Sequence, residues 1–265
     1  MTISSNQLNS EIIYPDSDGA PMAESDPARD YLVYSVEALD IYFQYREDVY
    51  VSGNLFIYYK QGVPSAVVAP DVFVVIGVAK KKRLSYKVWE EGDKVPGFVL
   101  EVTSLTTQKN DEQDKPQKYA RIGVLEYFQY DPIGDYLKPQ LKGSRLVQGK
   151  YQPIAANVLA NGVLSIHSEV LGLDLRLISG ELRFYEPQTE KRLLSHKETE
   201  LALQQTELAL QQAEQSLQQE AQARAAEAQV RRDAIPRLLG LGLSVEQVAG
   251  ALGLSVEEVR RFVQD

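Results

Sequence analysis

A seven-residue repeat commits the C-terminal part of this chain to helix. Thr199–Gln205 and Thr206–Gln212 both read TELALQQ, and Ala213–Gln219 reads AEQSLQQ. A period of seven returns the same residue types to one stripe every two helical turns, as coiled coils require. With Leu203, Leu210 and Leu217 at the a positions, Thr206 and Ala213 occupy d, and Leu201 and Leu208 fall off the seam. The repeat predicts a helix that self-associates as a homodimer or higher homo-oligomer. The alternative is a long solvated helix with no partner.

The composition changes at the same place. From Lys191 onward Leu, Gln, Glu and Ala dominate and Phe262 is the only aromatic residue, a helical composition. The other aromatics lie between Tyr14 and Tyr185, so that part is the one able to build a large core. Three segments are expected: a domain over 1–190, a coiled-coil helix over 191–235 that Pro236 interrupts, and a short helical tail over 236–265. In the tail, Ser244-Val-Glu-Gln247 and Ser255-Val-Glu-Glu258 each read as a capping box that opens a short helix. Ala249 and Gly253 have the spacing of a helix-turn-helix. The second helix carries Glu257 and Glu258 as well as Arg260 and Arg261, whereas a DNA-reading helix is usually more basic. A helical hairpin is the preferred reading and a DNA contact the alternative.

Several chemistries are excluded outright. The chain has no Cys, which removes disulfides, thiolate metal sites and thiol catalysis. Its two His, His167 and His196, are too few and too isolated for a His-rich metal site. The net charge, 28 − 37 = −9, makes it a poor non-specific polyanion binder unless basic residues cluster. Met1 to Ser10 lacks the pattern of a secretory signal. No apolar run reaches the roughly 18 residues of a membrane span. The cytoplasm is the expected location, with no membrane partner.

Within 1–190 the periodicity alternates between helix and strand. Leu32, Val36, Leu39 and Phe43 mark one face of a helix over Ala28 to Arg46. Val49, Val51, Leu55, Ile57 and Tyr59 alternate around Gly53-Asn54, as strand or hairpin. Val67 to Val78 is apolar but broken by Pro70-Asp71, and Gly97 to Val102 is a further short strand. Asp111 to Ile122 is polar with a helical stripe, and Leu125 to Tyr130 is strand up to the turn at Asp131-Pro132. Short strands are expected again at Arg145 to Val147, Leu173 to Ile178 and Leu182 to Tyr185. The order helix, three strands, helix, strand indicates an α/β sheet covered by helices. The tyrosines from Tyr42 to Tyr59 read as packing within it.

Carboxylates interrupt two of these strands. Asp71 precedes Val72 to Ile76, and Glu101 follows Phe98-Val99-Leu100. A carboxylate at a buried strand end is costly unless it is paired or binds a cation. Two on neighbouring strands could share one hard divalent ion, for which Mg²⁺ is the natural candidate. Taken singly, Asp71 reads as a turn residue and Glu101 as a salt-bridge partner.

The segments Pro70-Asp71-Val72-Phe73-Val74-Val75 and Val99-Leu100-Glu101-Val102-Thr103-Ser104 resemble the bacterial family of putative restriction endonucleases. So do Asp111-x3-Lys115-x3-Tyr119-Ala120-Arg121-x-Gly123-Val124-x-Glu126-Tyr127-Phe128, the following Asp131-Pro132, and Asp18-Gly19-x-Pro21-Met22-Ala23-Glu24 near the start. That family belongs to the PD-(D/E)xK nuclease superfamily. The resemblance implies a restriction-endonuclease-like core with a mixed sheet, and a Mg²⁺-dependent DNA endonuclease, with Mn²⁺ as a possible substitute. Asp71 and Glu101 would then be the metal-ligating carboxylates. The superfamily pattern places Lys two residues after the second carboxylate, where this chain has Thr103. A Lys on the following helix would replace it. Lys115 is favoured, being in step with Asp111 and Tyr119. Pro116 disfavours a helical Lys115, which makes Lys118 the rival. The basic run Lys80-Lys81-Lys82-Arg83, with Lys87, would contact DNA phosphates, or else form a solvated hairpin tip. Glu37 on the first helix could approach the metal but reads more simply as a surface residue. The opposing hypothesis is a catalytically inactive nuclease fold that works as an interaction protein through its helical tail.

Overall fold

The computed structural model of the protein describes residues 12–17, 25–104 and 114–264. The chain divides into two compact units, Met1–Glu198 and Thr199–Asp265.

The first unit opens with α1 (Asp26–Tyr42), where the Ser25 side chain accepts from the Ala28 N–H and Pro27 occupies the first turn. Both features satisfy a helix start locally. Strands β1 (Val49–Ser52), β2 (Ile57–Tyr58), β3 (Val67–Val68), β4 (Val72–Ile76), β5 (Tyr86–Lys87) and β6 (Phe98–Val102) follow. Then come α2 (Lys115–Ile122), β7 (Glu126–Tyr130), β8 (Leu141–Val147) and β9 (Lys150–Pro153). A second group contains β10 (Asn157–Val158), β11 (Leu164–Ser168), β12 (Leu173–Ile178), β13 (Glu181–Glu186) and β14 (Lys191–Arg192).

The strands form a six-stranded sheet in the order β1-β4-β6-β7-β8-β9, a five-stranded sheet β10 to β14 in sequence order, and a three-stranded sheet β3-β2-β5. In the first sheet β6 and β7 run parallel and every other pair is antiparallel. A parallel pair needs a crossover, and α2 lies in the connection between β6 and β7. The expected order helix, three strands, helix, strand is realised by α1, β1, β4, β6, α2 and β7, and the sheet is mixed.

Alternation along the strands separates two cores. Val72, Val74, Phe98, Leu100, Phe128 and Leu141 face one side, with α1 and the five-stranded sheet. Tyr50, Phe73, Val75, Val99 and Tyr127 face the other, with Tyr119 of α2 and Tyr86 of the three-stranded sheet. The second face is where the acidic residues described below are found.

Three details differ from the sequence reading. The residues around Gly53-Asn54 do not form a hairpin: β1 pairs with β4, and β2 with β3 and β5. Gly53 runs so close to β4 that an added Cβ would lie 2.3 Å from the Asp71 carbonyl oxygen. The chain passes by Asp71 there instead of turning back. Next, residues 191–192 are strand, because Lys191 and Arg192 pair with Glu186 and Tyr185. The helix starts at His196, after Ser195 and Glu198 cap each other's N–H groups. Finally, α3 (His196–Gly240) runs through Pro236. Proline removes one hydrogen bond from the helix ladder. Ile235, with Leu238 and Leu239, packs here against Val248, Ala249 and Val259, and this burial keeps the last turn helical.

The second unit consists of the rest of α3, then α4 (Val245–Leu252) and α5 (Val256–Gln264). Ser244 with Gln247, and Ser255 with Glu258, make the reciprocal bonds of two capping boxes. Gly253 ends α4 at φ 66°, a conformation that favours glycine. Leu203, Leu210 and Leu217 are exposed on α3. Among the described residues, no helix is long and apolar enough to cross a membrane.

Candidate active site

Strand register brings the two carboxylates together. β4 and β6 pair antiparallel, with Val72 opposite Leu100 and Phe73 opposite Val99. One further step along this register sets Asp71 opposite Glu101. Both then share the sheet face of Phe73 and Val99, the face covered by α2. The Val102 N–H donates to Asp71 Oδ2 at 2.8 Å, and the charge of Glu101 acts on the Asp71 carboxyl.

Glu101 is fully buried, and α2 supplies its partners. Lys115 Nζ donates to Glu101 Oε2 at 2.7 Å, and the Tyr119 hydroxyl donates to Oε1 at 2.6 Å. Lys115 and Tyr119 are four residues apart, so one helix face presents both. Burial, and then the charge of Glu101, push the Asp71 carboxyl up to about 8 against the opposing pull of Lys115. Burial and the same glutamate hold the Tyr119 hydroxyl well above its usual range, so it remains a donor at neutral pH. A carboxyl displaced so far by desolvation and a like charge is a mark of functional sites.

The helix starts at Lys115, with Pro116 in its first turn. Proline is well tolerated there, so it does not prevent Lys115 from reaching Glu101. Lys118 lies one turn on and is exposed. Thr103, which stands where the superfamily pattern has Lys, is buried. Its N–H donates to the Tyr130 carbonyl at 2.8 Å, and its hydroxyl bonds the Tyr136 hydroxyl. The ammonium group beside the carboxylates therefore comes from α2 rather than from β6.

The remaining candidates are scattered. Lys80 pairs with Asp40 at 2.8 Å and Lys81 with Glu91 at 3.1 Å. Arg83 holds Glu91 with two bonds of 2.9 Å while its guanidinium lies 4.2 Å from the Tyr50 ring centre. Lys82 is exposed. Three of these four cations thus already hold carboxylates, and Arg83 holds down Glu91, whose carboxyl it draws to about 2. Glu37 accepts from the His196 N–H at 3.2 Å, which makes it a cap for α3. Asp111 and the block from Asp18 to Glu24 lie outside the described residues.

Two neighbours of Glu101 escape the sequence reading as site residues. Tyr119 is visible there only as a helical partner of Lys115. Gln129 stands beside Glu101 in the parallel register of β6 and β7, and sequence spacing alone gives no sign of that. Among the described residues, no group of three or more His, Asp or Glu side chains is arranged to hold a metal.

A family model described as "Uma2: Putative restriction endonuclease" matches residues 21–179. The chain belongs to the Uma2 family. The Uma2 match runs from before α1 to the end of β12, so Asp71, Glu101, Lys115 and Tyr119 all lie inside it, while α3, α4 and α5 lie beyond it. No curated protein matches the chain. The description of the Uma2 family points to a nuclease, and hence to a hydrolase.

Proposed function

We propose that the protein is a divalent-metal-dependent endonuclease that hydrolyses DNA phosphodiester bonds on a restriction-endonuclease-like core. The observation that carries this reading is the facing pair Asp71 and Glu101, with Lys115 Nζ 2.7 Å from Glu101. The donor set suits a hard cation. Magnesium takes oxygen ligands, often only one or two carboxylates, and leaves other positions to water and phosphate. The Asp71 carboxyl is raised by burial first and by the Glu101 charge second, and a bound cation would offset both. Asp71 and Glu101 would hold Mg²⁺, or Mn²⁺ in its place. When bound, such an ion stabilises charge on a phosphoryl oxygen and lowers the pKa of a coordinated water.

The chain's own groups have separable tasks. Tyr119 and Lys115 each bond one Glu101 oxygen, which sets the plane of that carboxylate. The Val102 N–H does the same for Asp71. Lys115 is partly exposed, at 22% of its side chain, so its ammonium can donate to a scissile phosphate or orient the attacking water. Between the two lysines, Lys115 is therefore the catalytic assignment. Two sites would be needed to cut both strands of a duplex. Self-association through the exposed leucines of α3 is the proposed source of the second, in a protein that acts on DNA in the cytoplasm.

A second reading, an inactive nuclease fold serving as an interaction protein through α3, is favoured by one observation. Both Glu101 oxygens already have protein partners. Plasmid cleavage in Mg²⁺ and in Mn²⁺ separates the two. The nuclease reading expects nicking or cutting that Glu101→Ala reduces about 100-fold or more. Folded protein with no metal-dependent cleavage supports the second reading.

A further inference from the structure

Two segments of this acidic chain are free of carboxylates and rich in cations. Lys115–Ile122 reads KPQKYARI and Leu141–Val147, with the turn and β9, reads LKGSRLVQGKYQP. They carry Lys115, Lys118 and Arg121, then Lys142, Arg145 and Lys150, with no Asp or Glu between the ends of either segment. Arg145 turns to the far face of the sheet, where it holds Glu126 and Glu169. Lys142 lies on the face of Glu101 and Lys115, Lys118 and Arg121 on the helix that covers it, while Lys150, opposite Val147, starts from Arg145's side of the hairpin and borders the groove beside α2.

Register places Lys142 in line with the carboxylates. Glu101 lies beside Gln129 in β7, and Gln129 lies opposite Lys142 in β8. Asp71, Glu101, Gln129 and Lys142 thus form one row across four neighbouring strands, and residues directly across a sheet share a face. Lys142 stands two strands from Glu101, about 10 Å at the usual strand spacing.

From that row β8 runs toward its turn. Lys142 to Val147 is five steps, about 17 Å of extended chain, and Val147 pairs with Lys150. α2 lies against β9, the partner of β8, and Gln117, Ala120 and Arg121 line a groove of about 320 Å³ with Lys150 and Tyr151. Arg121, Lys142 and Lys150 are exposed and form no ion pair among the described residues. Lys80, Lys81 and Arg83 are already occupied.

We infer that the nucleic-acid backbone runs from the Asp71–Glu101 pair along α2 and β8, with Lys142, Arg121 and Lys150 on its phosphates. The inference rests on the nuclease reading above and names the substrate path for that same site. The track of about 17 Å corresponds to about five phosphates of one strand at 3.4 Å of axis per phosphate. Its partner is a phosphodiester backbone and not a protein. Cations in a line with no carboxylate among them match a polyanion, whereas protein interfaces are built on buried aromatic and aliphatic anchors.

The test is binding of a duplex DNA oligonucleotide to the full chain, by fluorescence anisotropy without divalent metal, across a salt series. Each lost phosphate contact lowers the slope of log affinity against log salt by about 0.9. Arg121→Gln/Lys142→Gln/Lys150→Gln is expected to lower the slope by about 2 to 3, with about 10-fold or greater loss of affinity at low salt. Circular dichroism checks that the variant is folded. Lys81→Gln/Lys82→Gln reads the competing location. An unchanged slope in the triple variant, an equal or larger loss in the double variant, or wild-type protein that does not bind duplex DNA overturns the inference. Glu101→Ala cleavage is read separately. A triple variant that binds like wild type beside a cleaving wild type sinks only the path. A reduced slope without any cleavage sinks only the nuclease reading.

Discussion

The six-stranded sheet buries one glutamate on each of its faces, and the two sit in opposite surroundings. Glu101 on β6 and Glu126 on β7 are both fully buried. Glu126 receives Arg145 at 2.8 Å, the Ser168 hydroxyl and the Glu169 N–H at 3.0 Å, and Arg145 also reaches Glu169. Its oxygens are satisfied and its charge is matched. Glu101 has a lysine and a tyrosine but also a second carboxyl group, Asp71, against it. A buried charge with complete partners belongs to the scaffold. A buried carboxyl driven toward its neutral form beside a buried carboxylate is a standing cost, and groups perturbed in this way cluster at functional sites.

Removing one partner of the complete cluster should have the largest effect on stability. Glu126→Ala takes away the acceptor shared by Arg145, the Ser168 hydroxyl and the Glu169 N–H, and about 3–5 kcal/mol of stability should be lost. Urea denaturation checks it, and a loss below about 1 kcal/mol would remove the contrast.

Asp71 should behave in the opposite way. Its folded carboxyl titrates near 8 against an ordinary 3.8. Below the ordinary value both folded and unfolded chains hold the proton, and the Asp71 carboxyl costs the fold nothing through titration. As pH rises toward 8 the unfolded chain releases the proton first, and stability falls by up to about 1.4 kcal/mol per unit. Asp71→Asn should flatten this slope and match or exceed the wild-type melting temperature at pH 7. Added Mg²⁺ should raise the melting temperature of wild type and not of the variant. Melting curves from pH 5 to 8 decide this. A steep slope that survives in Asp71→Asn assigns the titration elsewhere.

A smaller effect is expected at Gly53, which touches neither glutamate. Its missing Cβ leaves room for the Asp71 carbonyl. Gly53→Ala should cost about 1–3 kcal/mol through overpacking and lower cleavage further by displacing Asp71. Comparing the fall in cleavage with the fall in folded fraction separates the two.

The smallest effect belongs to Lys118. It is exposed, and Lys118→Gln should stay within about 0.5 kcal/mol in stability and about twofold in cleavage. Lys115→Gln should cost about 100-fold or more in cleavage. If Lys118→Gln costs more, the two lysines exchange roles.

What is legible in sequence is what has a local signal. Asp71 and Glu101 stand out because a carboxylate beside an apolar strand run is rare enough to need a reason. The capping boxes at Ser244 and Ser255 form as read, since a few neighbouring residues contain every atom involved. The basic run from Lys80 to Arg83 shows the limit of the same approach. Its charge density is legible, but the carboxylates that take it up, Asp40 and Glu91, are brought in by folding. Gln129 and Lys142 carry no local mark at all, because their place in the row depends on strands separated by α2 and by the turn after β7.

Taken alone, the sequence determined the order of helices and strands, the family, the break in composition near residue 190 and the long helix with its capped tail. All but the family, which rests on a resemblance between several separate blocks, are written in periodicities and spacings of a few residues. Tertiary structure alone decided three things: that Asp71 faces Glu101, that the ammonium group beside them is Lys115 of α2 while Thr103 at the end of β6 bonds Tyr136, and that α3 continues past Pro236. All three depend on contacts between residues far apart in the chain. Strand register and core packing set those contacts, and no window of neighbouring residues contains them.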